Sequence, residues 1–507
     1  MSDRGYKSPG VLFTENEIFP EVKFPEDLTV GIVGGALRGP LTLTKIQSIN
    51  VLEGVFGKFG NTDYALWAAR KVISMGGIVL FQRVIGKDAA FATTKVPEGE
   101  EGSETNPGIV FVSKEYRSDL NGAVIQLKKN AEKNTIDYTL SKDGYEIESY
   151  LNLSLDKNEY SYFKSILDRI SLFNVTVETD DIQDVTLTVR GGDDGIASLA
   201  VEDYIGIGNS GVQVFKNPEN VDVTTIIVPG VSDLKLFAAV EEVINYRGDV
   251  MYIPDCPKGM SPKMVIDWAN ETIGGDTWRY KFNSSQIALY YPWVYDTNPY
   301  TKERFLTPPS GWVASKFVYT DKYAGQWFAP AGLQTDYARG KLEDAVDVEY
   351  EMSKEERDAL YDEANVNPIA KFYAKGIALW GNRTTLRTPL YRAPSVYTSI
   401  NVRRMVNYIR KVIISISLTE LFNPNDVTTW KSWKQKVTPK LRAIKENRGI
   451  VAFQVIMDES TVTAEDIMNG RMPGEIYVQP TRAAEFIPIN FTVTQDSVIF
   501  SEVGEAE

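Results

Sequence analysis

The chain of 507 residues contains no histidine and a single cysteine, Cys256. Without an imidazole, Ser-His-Asp and Cys-His catalysis, HExxH metalloprotease sites and His-ligated zinc or copper are excluded, because each needs a ring nitrogen that this chain lacks. One cysteine rules out an internal disulfide, a zinc ribbon and an iron–sulfur cluster. The missing imidazole also removes the usual side chain that titrates between about pH 5 and 8. No uninterrupted apolar run approaches the 18 or so residues that a membrane span needs. The opening MSDRGYKSPG lacks the apolar stretch of a secretory signal, which points to a soluble, reduced protein made in the cytosol. The enzymatic options left are carboxylate pairs, a lysine Schiff base, Ser-Lys nucleophiles, or phosphate loops with carboxylate-held Mg²⁺.

What is present is ordinary for a globular chain: 43% hydrophobic and 24% charged residues with a net charge of -14. At about 150 residues per domain the length suggests roughly three domains. The acidic balance argues against nucleic acid as a partner for the whole surface.

Residues 1–25 read as an arm: Ser8-Pro9-Gly10 is a turn signal, Val11-Leu12-Phe13 a short apolar run, and Pro20 and Pro25 break continuing structure. From Leu28, LTVGIVGGALRGP reads as a buried strand ending in a Gly-rich turn. A helix is expected from about Asp63 to Met75, stopped by Gly76-Gly77, then a strand from Ile78 to Val84, which makes a βαβ unit. The alternation stops near Lys87 and resumes near Thr224; the interval, with runs such as VTLTVR and AVIQLKK, reads as an inserted, mostly β domain. Beyond it come a strand TTIIVPG, a helix from Ser232 to Tyr246 with Ser232 as N-cap, a strand VMYIPD, a helix from Ser261 to Ile273, and a strand SQIALYYPWV. This order predicts a largely parallel α/β sheet, interrupted in sequence but not in space.

Charge then segregates. Lys341 to Glu363 holds ten acidic and three basic residues, and SKEERDALYDEAN reads as a helix with a capping box at Glu356. Asn401 to Arg448 holds eleven basic and three acidic residues. Within it Trp430, Trp433, Val437, Leu441 and Ile444 recur at helical spacing as a buried stripe, with Pro439 expected to kink or split the helix. The net +8 favours either a solvated face or a docking surface for an acidic partner. Strands GIVAFQVIMDE, EIYVQPT and EFIPINFTV follow, and the alternation from Glu485 to Val503 suits an edge that accepts another strand.

Several motifs invite a ligand. Gly31, Gly34, Gly35 and Gly39 resemble a phosphate loop, but no Lys-Ser/Thr follows and Pro40 stands where a dinucleotide fold starts its helix. Gly191-Gly192-Asp193-Asp194-Gly195 lacks the alternating oxygens of a calcium loop and reads as a tight turn. Tyr290-Tyr291-Pro292-Trp293, Gly311-Trp312 and Gln326-Trp327-Phe328 read as buried packing rather than a sugar or base platform.

The ordered set of short motifs resembles the tail sheath proteins of contractile bacteriophages and related injection machines. It runs through Ser8-Pro9-Gly10-Val11, Gly34 to Pro40, Phe59-Gly60, Arg190 to Gly195, Asp203-Tyr204, Val228-Pro229-Gly230, Pro308-Pro309-Ser310-Gly311, Asp321, and Trp327 to Gly332. It continues with Asn367-Pro368-Ile369, Gly376, Trp380-Gly381, Arg383-Thr384, Asn401-Val402-Arg403-Arg404, Phe422-Asn423-Pro424-Asn425 and Glu485-Phe486-Ile487. Two positions depart from the pattern: Asn423 stands where the family usually has Glu, and Arg339-Gly340 replaces an Arg-Gly usually nearer Gly332.

The resemblance implies an α/β multidomain, structural, non-enzymatic subunit without cofactor or metal. Its expected divisions are an arm (1–25), a middle α/β domain (26–86 plus 220–345), an inserted outward-facing mostly β domain (87–219), an acidic connecting helix (346–365) and a C-terminal α+β assembly domain with its arm (366–507). It implies stacked hexameric rings that polymerise around an inner tube and contract to drive that tube through a cell envelope for genome delivery. The implied partners are further copies of itself, the inner tube protein, and baseplate and terminator proteins, with no nucleic acid and no stable membrane insertion. The implied location is the virion tail, after assembly in host cytoplasm. Inter-subunit contacts are expected from Val11, Leu12, Phe13, Phe486, Ile487, Phe491 and Val493, and tube contacts from Lys431, Lys434, Lys440 and Lys445. A baseplate component of the same machine and a dinucleotide-binding α/β enzyme stand as alternatives.

Overall fold

The computed structural model describes residues 28–95, 108–179, 182–270, 272–274, 278–333, 339–387, 395–485 and 487–488. It is a mixed α/β molecule with several sheets.

The first elements are β1 (Thr29–Gly34), β2 (Thr44–Ile46), α1 (Ile49–Phe56), α2 (Tyr64–Ser74) and β3 (Ile78–Arg83). Helix α1 carries no strong sequence signal beyond Ser48, whose side chain accepts from the Val51 amide as N-cap. Helix α2 buries Ala65 to Ala69, Val72 and Ile73, and Gly76 closes it at φ 85°, a left-handed value that costs glycine little.

The next stretch contains β4 (Phe91–Thr93), β5 (Ile109–Tyr116), β6 (Val124–Asn130), β7 (Thr135–Lys142), β8 (Tyr145–Ser154), α3 (Phe163–Ile170), β9 (Phe173–Val177) and β10 (Val185–Thr188). Its strands form two antiparallel sheets, ordered β4-β5-β9 and β10-β6-β7-β8. They enclose one core running from Ala92 to Val189, with Phe111, Tyr138, Phe163 and Phe173 at its centre.

After α4 (Val201–Ile205) the chain returns as β11 (Thr225–Ile227), α5 (Leu234–Arg247), β12 (Met251–Tyr252) and α6 (Pro262–Asn270). Strand β11 pairs in parallel with β1, Val30 opposite Thr225, so residues nearly two hundred apart in sequence share one sheet. That sheet is ordered β12-β11-β1-β3-β2; only β2 runs antiparallel.

Two boundaries differ from the sequence reading. The N-cap of α5 is Asp233, which accepts from the Lys235 amide, while the Ser232 hydroxyl donates to the Asp255 carbonyl. Helix α6 ends at Asn270, and the β-branched pair Thr272-Ile273 extends as β13 (Thr272–Gly274) against β14 (Trp278–Tyr280).

Then follow β15 (Leu289–Tyr291), β16 (Val294–Thr297), β17 (Arg304–Thr307), α7 (Pro309–Tyr323), β18 (Asp347–Val348), α8 (Lys354–Ala364), β19 (Val366–Phe372) and β20 (Gly376–Leu379). The expected capping box of α8 is present: Ser353 accepts from the Glu356 amide, and Glu356 accepts from the Ser353 amide.

The C-terminal elements are α9 (Ile400–Leu418), α10 (Val427–Glu446), β21 (Ile450–Ile456), α11 (Ala464–Met468) and β22 (Glu475–Pro480). Contrary to the sequence expectation, Pro439 does not divide α10. Both Pro439 and Gln435, whose carbonyl loses its helical donor, face solvent, so water can take that bond. The expected strand EFIPINFTV lies mostly outside the described residues; Glu485, Ile487 and Pro488 belong to no strand.

Candidate functional site: assembly surfaces and polar joints

Trp430, Trp433, Val437, Leu441 and Ile444 of α10 are all buried, as their spacing predicts. They meet Met405, Tyr408, Ile409 and Val412 of α9 and Ile450 and Val455 of β21 in a separate core that also takes in Trp327. Asp426 caps α10 by accepting from the Thr429 amide at 2.9 Å.

That packing decides where the lysines stand. Lys431, Lys434 and Lys445 are exposed, whereas Lys440 is half-buried. At about 100° per residue, Lys431, Lys434, Arg442 and Lys445 share one flank of the apolar stripe and Lys440 falls on the other. Arg442 therefore stands on the same flank as Lys431, Lys434 and Lys445, as a helical projection of α10 shows. None of these five cations makes an ion pair with another described residue. Lys436 instead bonds Glu420 at 2.6 Å.

The loop between α9 and α10 carries Asn423 at the departing position. Its amide donates to Glu420 at 3.0 Å, and Glu420 also receives Ser432 and Lys436. Gly340, the other departure, packs against Gly332: a Cβ there would stand 2.4 Å from the Gly332 nitrogen.

Two buried carboxylates join the motifs that sequence alone left scattered. Asp255, fully buried, accepts from the Gly230 amide at 2.9 Å, the Ser310 amide at 2.8 Å and the Ser310 hydroxyl at 2.7 Å. It therefore ties Val228-Pro229-Gly230 to the first turn of α7, where the helix dipole favours an anion. Burial nonetheless pushes its carboxyl up to about 6, against those hydrogen bonds. Asp321 near the end of α7 accepts on both carboxylate oxygens from Nη2 of Arg404 in α9, the two side chains 2% and 4% exposed. Burial raises the Asp321 carboxyl while Arg404 opposes the rise. A second tie runs from Lys411 of α9 to the Val223 carbonyl at 2.6 Å and to Asp222. A chain without imidazole thus still holds, in Asp255, a carboxyl that burial lifts to about 6.

The ligand motifs resolve as packing. A Cβ on Gly31 would strike Phe215 at 2.8 Å, on Gly34 the Ala65 methyl at 2.2 Å, and on Gly35 Ile196 at 3.0 Å, so side chains fill the space a phosphate would need. In the Gly191–Gly195 turn, Asp193 accepts from the Gly195 amide and Asp194 from the Ile196 amide. Tyr290, Tyr291, Trp293, Trp312 and Trp327 are all buried. Among the described residues there is no group of three or more His, Cys, Asp or Glu arranged to hold a metal, and no helix is long and apolar enough to cross a membrane.

Of the expected inter-subunit residues, Val11, Leu12, Phe13, Phe486, Phe491 and Val493 lie outside the described residues. Ile487 is described and exposed. Just before it, Glu485 stands near the Tyr361 hydroxyl of α8, over whose ring Arg383 sits at 3.8 Å.

Residues 200–385 match the phage tail sheath protein central domain, and residues 392–494 the phage tail sheath C-terminal domain, together more than half of the chain. The chain belongs to the phage tail sheath protein family. The tail sheath protein of Vibrio phage KVP40 is 30% identical over 213 residues, 42% of this chain and 30% of that protein. That of Enterobacteria phage T4 is 25% identical over 62% of this chain and 48% of its own length. The chain thus matches at most about half the length of these two curated sheath proteins. In fold, it is similar to the crystal structure of a sheath tail protein from Desulfitobacterium hafniense, at TM-score 0.59 and 13% identity over 89% of this chain and 94% of that one.

Proposed function

We propose that this chain is the structural subunit of a contractile tail sheath, polymerising as stacked hexameric rings around an inner tube and contracting to drive that tube through a cell envelope. The observation that carries the reading is the pair of consecutive family matches over 200–385 and 392–494. They fall on a chain whose phosphate-loop and cation-loop motifs are filled by its own side chains and backbone. In this reading the α/β body and the inserted β unit build the outer part, and the C-terminal unit with both arms builds the inner layer. The subunit assembles in host cytoplasm, ends in the virion tail, and meets tube, baseplate and terminator proteins.

Strand addition supports the role of the arms. Strands β21 and β22 pair only with each other among the described residues. An extended arm offers backbone donors and acceptors to such an edge. At about 0.5–1.5 kcal/mol net per hydrogen bond, roughly five bonds contribute only a few kcal/mol after ordering costs, enough to hold neighbours while leaving a hinge.

Electron microscopy of the purified protein tests the reading: long hollow cylinders are expected, and rings or monomers that persist at high concentration would overturn it in favour of a baseplate role. Deleting Met1 to Phe19 is expected to abolish cylinder growth.

A further inference from the structure

Where α9 meets the central sheet, a cavity of about 10 Å³ lies between Arg404, Asn407 and Lys411 of the helix and Thr224, Asp249 and Met251 at the entries to β11 and β12. The three helix residues are spaced three and four apart, which puts them on one side of α9. The charges around the cavity are matched. Nη2 of Arg404 donates to both oxygens of Asp321. The Lys411 ammonium donates to Asp222 and to the Val223 carbonyl and stands 3.7 Å from Asp249. The Asp249 carboxylate in turn accepts from Arg247 at 2.9 and 3.1 Å.

Three polar atoms of the lining residues are left over. Nη1 of Arg404 and both Nδ2 and Oδ1 of Asn407 are buried and make no hydrogen bond with another described residue. The two residues are 4% and 5% exposed. An amide buried with neither end bonded is costly, and folded proteins rarely keep one: such groups bond to protein or to ordered water.

Size and chemistry select the occupant. A volume of about 10 Å³ is close to the space of one water molecule, and a buried water needs two to four polar partners. The leftover atoms include donors and an acceptor, which suits a molecule that both accepts and donates. A chloride ion is larger than water and only accepts, and the nearby cations already face Asp321, Asp222 and Asp249.

We propose that this cavity is a binding site for one ordered water, which accepts from Nη1 of Arg404 and bonds the side-chain amide of Asn407. The guanidinium is planar, so a bond that fixes Nη1 also fixes the direction in which Nη2 reaches Asp321. The water thereby extends the α7–α9 joint by one turn of α9, from Arg404 to Asn407, and both residues act in it as positioning groups.

The test uses the full, unassembled chain, so its outcome does not depend on the sheath reading. A high-resolution crystal structure is expected to show one water peak within hydrogen-bond distance of both Arg404 Nη1 and the Asn407 amide. A map without that peak overturns the proposal. So does an anomalous signal at the same point after chloride is exchanged for bromide, which would identify an anion. The second measurement is thermal unfolding of Asn407→Leu, which nearly keeps the side-chain volume and removes the bonds to water. Its melting temperature is expected to fall by about 2 °C. Were the amide dry, leucine would relieve two unbonded polar atoms, so a rise, or no change, overturns the proposal.

Discussion

The central sheet and the C-terminal sheet differ in how far one chain completes them. Strand β1 lies between β3 and β11 with all six of its residues buried. Strands β21 and β22 have only each other among the described residues, and Val451 and Tyr477 are 52% and 56% exposed. Two-stranded hairpins are marginal alone in water, so β21–β22 leans on the α10 face beneath it. Among the described residues the second sheet stops at two strands, which leaves open edges for the strand addition proposed above. The same contrast holds for charge: the side chains of Asp255 and Asp321 in the body are buried in hydrogen bonds, whereas Lys431, Lys434, Arg442 and Lys445 of α10 are exposed.

The largest expected effect breaks the weaker side. Trp433→Ala empties the centre of the C-terminal core and is expected to cost about 3–5 kcal/mol. Hydrogen exchange should show protection lost over residues 400–480 and kept in β1, β3 and β11. Uniform loss would mean the two regions unfold as one unit.

Next comes the joint between them. Arg404→Met leaves Asp321 buried without its partner, an expected loss of about 3–5 kcal/mol, and Asp321→Asn in the same chain should recover part of it. Thermal unfolding is expected to split into two transitions in the single variant and to draw together again in the double variant.

Asp255 sharpens the comparison through pH. Its folded value of about 6 lies above the ordinary 3.8, so between those values the folded state holds a proton the unfolded chain has released. The stability linked to this group is full below about pH 4 and is lost as pH rises through 6. The wild type should therefore gain about 2 kcal/mol of stability relative to Asp255→Asn on going from pH 7 to 4.5. A constant difference in melting experiments would show that Asp255 remains ionised at the N terminus of α7.

The smallest effect on folding belongs to the surface. Reversing Lys431, Lys434 and Lys445 to Glu should change stability by less than about 0.5 kcal/mol each, since all three are exposed and make no ion pair with another described residue. Co-assembly with an inner tube protein should nevertheless stop, while sheath-only polymers still form. Lys440→Glu, on the other flank of the stripe, should leave co-assembly intact; equal loss from both sets would remove the distinction between the flanks.

Local physics made much of this legible from residue order. The βαβ pattern, the capping box at Ser353–Glu356 and the stripe from Trp430 to Ile444 depend on contacts within a few residues, where spacing and side-chain type suffice. Helix ends were less legible: Ser232 and Asp233 are equally good caps by type, and only the distant Asp255 carbonyl drew Ser232 away. The missing imidazole excluded whole classes of catalysis from composition alone. Only the tertiary structure decided what the conspicuous glycines do, because Phe215, Ala65 and Ile196 arrive from far along the chain to fill the space beside them. It likewise brought Gly230, Asp255 and Ser310 to one point and Asp321 to Arg404. Burial at those meetings carries carboxyls toward the pH range that the absent histidines would have covered, since desolvation is set by what packs around a group, not by its neighbours in sequence.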